Sequence, residues 1–85
     1  MNKFSNYVVY VLSNTTGKIY IGQTYDLQKR LESHNVSGTG YTSKYRPWDV
    51  VIMEIYPSRK EAMARERYLK TGVGRDWIKR KIAGA

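Results

Sequence analysis

Three apolar stretches, separated by polar and turn-rich segments, set the frame of this chain. "YVVYVLS" (7–13) and "WDVVIMEIY" (48–56) are dense in β-branched and aromatic residues, and "KIYIGQ" (18–23) is a shorter run of the same kind. Each reads as a strand. "NTTG" (14–17) is turn chemistry, so the first two strands form an antiparallel hairpin. The period then changes. From Asp26, a good N-cap, "LQKRLESH" places Leu27 and Leu31 one turn apart and predicts a short helix. "NVSGTGYTSKYRP" (35–47), with two glycines, a proline and several hydroxyls, predicts a long loop. Pro57 ends the third strand, and Ser58 with Glu61 forms a capping box that opens a helix through about Lys70. "TGVG" (71–74) reads as an interruption and "RDWIKRKIA" (75–83) as a last short helix anchored by Trp77 and Ile78. The order β-β-α-β-α-α predicts an α+β fold, a three-stranded antiparallel sheet flanked by helices, with 1–85 as a single domain.

Composition narrows the chemistry. There is no cysteine, so neither disulfides nor a Cys-rich zinc site is available, and one histidine, His34, rules out a multi-His metal site. A metal would be held by carboxylates and hydroxyls, which suits Mg²⁺ or Mn²⁺. No apolar run reaches the ~20 residues of a membrane span, and no signal-peptide stretch opens the chain. A cytoplasmic protein without a membrane partner is the expectation. Fifteen Lys and Arg against seven Asp and Glu leave a net charge of +8. Residues 59–81 hold nine basic and three acidic side chains, six of those eight net charges. A basic half on a small chain favours a polyanion, most often nucleic acid. The plain alternative is a solvated helical surface.

Several polar groups are aimed rather than scattered. If the hairpin loop has three residues, with Gly17 in the left-handed position, Tyr10 and Tyr20 share one face of the sheet. Ordinary strand packing would also explain two tyrosines among eight. At ~100° per residue, Arg30 and His34 flank the Leu27–Leu31 face and lean toward the sheet. The structural alternatives are a snorkelling arginine and a histidine serving the helix C-terminus. On the second helix Ala62, Met63 and Leu69 define the apolar side, with Glu66 between them. An inward carboxylate needs a partner: Arg30, another basic side chain, or a metal ion.

These residues carry a resemblance. "VVYVL" followed by "KIYIG" is similar to the paired signatures of the GIY-YIG nuclease superfamily. Arg30 lies ten residues past Tyr20, His34 one turn later, and "EAMARE" (61–66) after the third strand. Among members the chain most resembles short stand-alone bacterial proteins, the excinuclease C-subunit N-terminal domain, and the nuclease subunit of Slx-type endonucleases. "RPWDVV" and "SRKEAMARE" are typical of that last branch. The resemblance implies catalytic roles for Tyr10, Tyr20, Arg30 and His34, a metal-binding role for Glu66, and a structural role for Gly22. It also implies a small antiparallel sheet flanked by helices and one divalent cation. The chain departs from the pattern at Val8, where the first motif has glycine, and at Gln23, where the excinuclease branch has lysine. It shows no counterpart of that branch's late asparagine in "TGVGRDWIKRK". The separate DNA-binding domain that members usually add does not fit within 85 residues.

The implied reaction is phosphodiester hydrolysis, which needs an activated water and charge neutralisation at the phosphoryl oxygens. Arg30 suits the scissile phosphate through its planar fork. Tyr10 and Tyr20 are both candidate bases at this stage, and His34 is the side chain whose ordinary pKa lies near neutrality. Gly22 would permit a close approach. Lys44, Arg46, Arg65, Lys70, Arg75, Lys79 and Arg80 are the expected nucleic-acid contacts. Tyr41 and Tyr45 are candidates for stacking, whereas Trp48 is expected in the core. Nothing here reads base sequence, so structure-directed cleavage of DNA, linked to repair or recombination, is the leading expectation. The pattern leaves RNA open as a substrate and a protein partner open as the source of specificity. The competing expectations are a nucleic-acid-binding module of the same fold, weak in catalysis or dependent on that partner, and a domain whose basic face meets an acidic protein.

Overall fold

The central strand is the most apolar one, and the two helical layers exist to cover its two faces. The computed structural model describes residues 6–37 and 40–84. Strand β1 (Tyr7–Ser13) pairs antiparallel with both β2 (Ile19–Thr24) and β3 (Asp49–Tyr56), giving the order β2-β1-β3. Its odd residues Val9 and Val11 pack with Ile21 against Ala62 and Leu69 of α3 (Arg59–Leu69) and Ile78 of α4 (Gly72–Gly84). Its even residues Tyr10 and Leu12 pack with Trp48 against Leu27 and Leu31 of α1 (Leu27–Glu32). The predicted α+β architecture and strand arrangement are therefore present.

The hairpin has the predicted form. Asn14 N–H donates to Lys18 O at 3.1 Å, leaving Thr15, Thr16 and Gly17 as a three-residue loop. Gly17 takes φ +85°, where a side chain would be strained. The Asn14 side-chain oxygen accepts from the N–H groups of Thr16 and Lys18 and fixes the turn from within. Asp26 caps α1, accepting from Lys29 N–H at 3.1 Å, and Ser58 caps α3, accepting from Glu61 N–H at 3.2 Å.

Three expectations need correction. The segment 35–47 is not simply a loop. A π-helical turn (Ser33–Ser37) continues α1, and α2 (Tyr41–Lys44) adds one helical turn; Gly38 and Thr39 lie outside the described residues. Side chains tie the segment down where sequence periodicity gives no signal. The Asn35 amide donates to Trp48 O and accepts from Trp48 N–H, at 3.1 and 2.7 Å, and Trp48 Nε1–H donates to Thr42 O at 2.8 Å. Secondly, the helix is interrupted as expected, at Lys70 and Thr71, but the last helix starts at Gly72 rather than Arg75, so "GVG" belongs to it. Thr71 Oγ1 accepts from Gly74 N–H, and Gly74 lies flat on the end of α3, where a Cβ would strike the Tyr68 carbonyl and Leu69 Cα. Here glycine permits close helix packing instead of breaking the helix. Thirdly, Met63 is largely exposed, so the buried side of α3 is Ala62 and Leu69.

Candidate active site

On the even face of the sheet three rings meet. The register pairs Tyr10 with Gly22 and Leu12 with Tyr20, so Tyr10 and Tyr20 are diagonal neighbours on one face. Their ring centroids lie 6.3 Å apart. The π-helical turn brings His34 over both, its ring 4.7 Å from that of Tyr20. Its Nε2 is hydrogen-bonded to the Tyr10 hydroxyl at 3.0 Å. Tyr10 is 1% exposed and His34 6%, while Tyr20 is half-buried. Gly22 makes this possible: a Cβ there would stand 2.6 Å from the Tyr10 hydroxyl and 2.8 Å from its ring carbon Cζ. The glycine is thus needed for space, since the Tyr10 ring crosses the strand where a side chain would be.

Burial decides the ionisation of this pair. Desolvation chiefly, then the nearby Tyr20, raises the Tyr10 phenol far above its ordinary value; Glu66 adds to this and only Arg30 opposes it. Burial, with Arg30 second, lowers the His34 imidazole below its ordinary 6.5. Both groups are neutral at neutral pH. Because the folded pKa of His34 is depressed, its contribution to stability is present above 6.5 and is lost as pH falls through the folded value. Thermal melts between about pH 7 and pH 5 should show stability falling with acidification, and His34→Gln should flatten that slope. An equal slope in both proteins would assign the loss to other groups.

The charged candidates sit outside this buried cluster. Arg30 remains exposed rather than leaning onto the sheet, because β2 and α1 leave open depressions on either side of it. Glu66 is partly buried, its side chain 22% exposed, and its partner is Lys70 one turn along α3, at 2.8 Å, rather than Arg30. Gln23, Met63, Arg67 and Lys70 line a depression of about 240 Å³ around Glu66. Gln23 also lines the next depression, which contains Arg30. Gln23, at the end of β2, is thus common to the depression that holds Glu66 and the one that holds Arg30.

The remaining basic candidates are dispersed. Lys44 is exposed on α2, and Arg46 Nε–H donates to the His34 carbonyl at 2.7 Å, bracing the π-helical turn. Arg65 forms a two-point ion pair with Glu54, at 2.9 and 3.1 Å, and packs over Trp77. Lys70 holds Glu66, and Arg75, Lys79 and Arg80 are exposed on α4. Arg65 and Lys70 thus already have intramolecular carboxylate partners. Trp48 is 2% exposed in the core, as expected.

Among the described residues no three His, Asp or Glu side chains gather as a metal cluster. The Glu66 depression offers one carboxylate and the neutral amide oxygen of Gln23, both hard donors. That set fits Mg²⁺ or Mn²⁺, which keep several waters and complete their shells with substrate phosphate. A cation there would displace the Lys70 ammonium from Glu66.

Comparison with known proteins adds to this geometry. A family model described as the GIY-YIG catalytic domain matches residues 6–80. A UPF0213 protein of Bacillus pumilus is 41% identical over 78 residues, spanning 89% of this chain and 74% of its own. A UPF0213 protein of Staphylococcus aureus is 36% identical over 67 residues, spanning 78% and 82%. The solution NMR structure of a UPF0213 protein from Bacillus halodurans is similar with a TM-score of 0.54 at 31% identity, covering 86% of this chain and 81% of that one. Among the described residues no helix is long and apolar enough to cross a membrane.

Proposed function

This chain belongs to the GIY-YIG family, and from that premise we propose that it is a divalent-metal-dependent endonuclease. It would cleave DNA of non-duplex or branched structure in the cytoplasm, in repair or recombination, with a partner protein refining substrate choice. The observation that carries this reading is that Arg30 of α1 and Glu66 of α3 line two depressions sharing Gln23, and that both charges act on the Tyr10 phenol. A cation for the phosphate and a metal-competent carboxylate on either side of Gln23 are what a phosphodiester needs; packing alone requires neither.

In the proposed reaction a water oxygen forms a new bond to phosphorus. The opposite ester P–O bond breaks, and the departing oxygen takes up a proton. Arg30 donates two N–H bonds to the non-bridging oxygens and holds the phosphate in register. Glu66 and Gln23 would hold Mg²⁺ or Mn²⁺, whose charge stabilises the phosphoryl oxygens and the leaving oxygen. Of the two phenols Tyr20 would meet the water, a choice supported by its partial exposure while Tyr10 is sealed and held neutral. The Tyr10–His34 bond fixes the imidazole against which the Tyr20 ring packs.

A second reading is favoured by one observation: Tyr10 and His34 are nearly closed to solvent. On that reading the chain binds nucleic acid and turns over slowly until a partner opens the site. Incubation of labelled single strand, duplex, flap, branched junction and structured RNA with Mn²⁺ separates the two. Wild type should nick at least one, and Glu66→Gln should lose at least about 100-fold in rate while still binding. Binding without cutting by either protein would replace the nuclease with the binding module.

A further inference from the structure

Tyr25 has no part in the reaction outlined above, yet it is the most exposed aromatic side chain among the described residues, at 74%. Its backbone is not loose. Thr24 Oγ1 accepts from Asp26 N–H and donates to Asp26 O, and Asp26 caps α1, so Tyr25 stands on a hydrogen-bonded bend between β2 and α1. Tyr7 braces it through an edge contact, ring centroids 6.5 Å apart at 69°. The ring is therefore held in place and offered to solvent.

Beside it the depression of about 190 Å³ is walled by Arg30 from α1 and Arg59 from the first position of α3. Among the described residues neither guanidinium has a carboxylate within ion-pair distance. Two uncompensated cations from different helices converge next to an exposed ring, while Gln23 joins this depression to that of Glu66. A phosphate between two guanidiniums and a base against a tyrosine are the two halves of one nucleotide. The ring can take a base only if its face is uncovered, which excludes a base still stacked within a duplex.

We infer that the Tyr25–Arg59 depression is a subsite for one unpaired nucleotide adjoining the scissile phosphate, Tyr25 stacking on its base and Arg59 holding its phosphate. The inference rests on the nuclease reading and deepens it, giving the preference for non-duplex substrates a physical cause. Arg59 and Tyr25 select the substrate, and Arg30 serves both this subsite and the reaction centre.

The test uses the full chain in a metal-free buffer containing chelator, with fluorescence anisotropy on three labelled probes. These are a blunt DNA duplex, the same duplex with a short single-stranded DNA tail, and the same duplex with an RNA tail. Wild type should prefer a tailed probe. Tyr25→Ala should weaken tailed binding by about 10-fold and blunt binding by less than about twofold, while Tyr25→Phe keeps the preference. Arg59→Gln should lower the salt dependence of binding by about one phosphate contact. The DNA and RNA tails show which strand chemistry the subsite takes. Unchanged melting of each variant guards against misfolding. If wild type cuts tailed DNA with Mn²⁺ but Tyr25→Ala binds every probe as wild type does, the subsite is refuted and the nuclease stands. If the tail preference depends on Tyr25 but no protein cuts, the subsite stands and the nuclease reading falls. Absence of metal-free binding to all probes refutes the subsite, and absence of cutting with Mn²⁺ refutes the nuclease.

Discussion

Gly22→Ala is expected to destabilise the chain by about 1–3 kcal/mol and to remove most of the cleavage activity proposed for it. The added methyl would meet the Tyr10 hydroxyl at 2.6 Å and Cζ at 2.8 Å. A flexible surface side chain could turn aside, but Tyr10 is 1% exposed and packed with Leu12 and Trp48. Its retreat would break the 3.0 Å bond to His34 Nε2 and leave a buried polar atom without a partner. At roughly 4–8 °C per kcal/mol for a domain of this size, the shift is easily measured by thermal melting. A double-mutant cycle identifies the cause. In a Tyr10→Phe background the nearest clashing atom is gone, so the cost of Gly22→Ala should shrink by at least about 0.5 kcal/mol. Strictly additive costs would mean the methyl is resisted by something other than the phenol.

Trp48→Ala should have the larger effect on stability, about 3–5 kcal/mol. Domains of this kind hold about 5–15 kcal/mol in total, so the variant would be partly unfolded at physiological temperature. The indole fills the even-face core with Tyr10 and Leu12, and it also organises the segment before β3. Its Nε1–H donates to Thr42 O, and its backbone exchanges two hydrogen bonds with the Asn35 amide. Removing the side chain breaks the bond to Thr42 of α2, and the two bonds to Asn35 of the π-helical turn then rest on a backbone no longer anchored by the indole. Urea denaturation measures the cost, and hydrogen exchange should show residues 33–37 and 41–45 opening ahead of the strands. Trp48→Phe, which keeps a ring but not the donor, should cost only about 1–2 kcal/mol. Equal losses in both would place the effect in the hydrogen bond rather than in the packed volume.

What could be read from the sequence follows from how locally each feature is encoded. The hairpin was legible because Asn14 and Gly17 are chemically suited to a three-residue turn, and the parity of that turn alone put Tyr10 and Tyr20 on one face. Both helix starts were legible because Asp26 and Ser58 cap through residues three positions away. The start of α4 was not. Gly74 is a breaker by propensity, and only contact with the end of α3 turns its lack of a side chain into an advantage. The helical character of 33–37 and 41–44 was hidden for a similar reason, since Asn35 and Trp48 are 13 residues apart and no period links them.

The candidate site divides along the same line. The sequence by itself determined the strands, the turns, the caps, the basic second half and the identities of Tyr10, Tyr20, Gly22, Arg30, His34 and Glu66. Tertiary structure decided what each is able to do. It buried Tyr10 and His34 as a neutral pair, left Arg30 open to solvent, gave Glu66 to Lys70, and set Gln23 between the depression of Glu66 and that of Arg30 and Arg59. Accessibility and charge pairing depend on which distant elements meet, because desolvation and Coulomb interaction act through space and not along the chain.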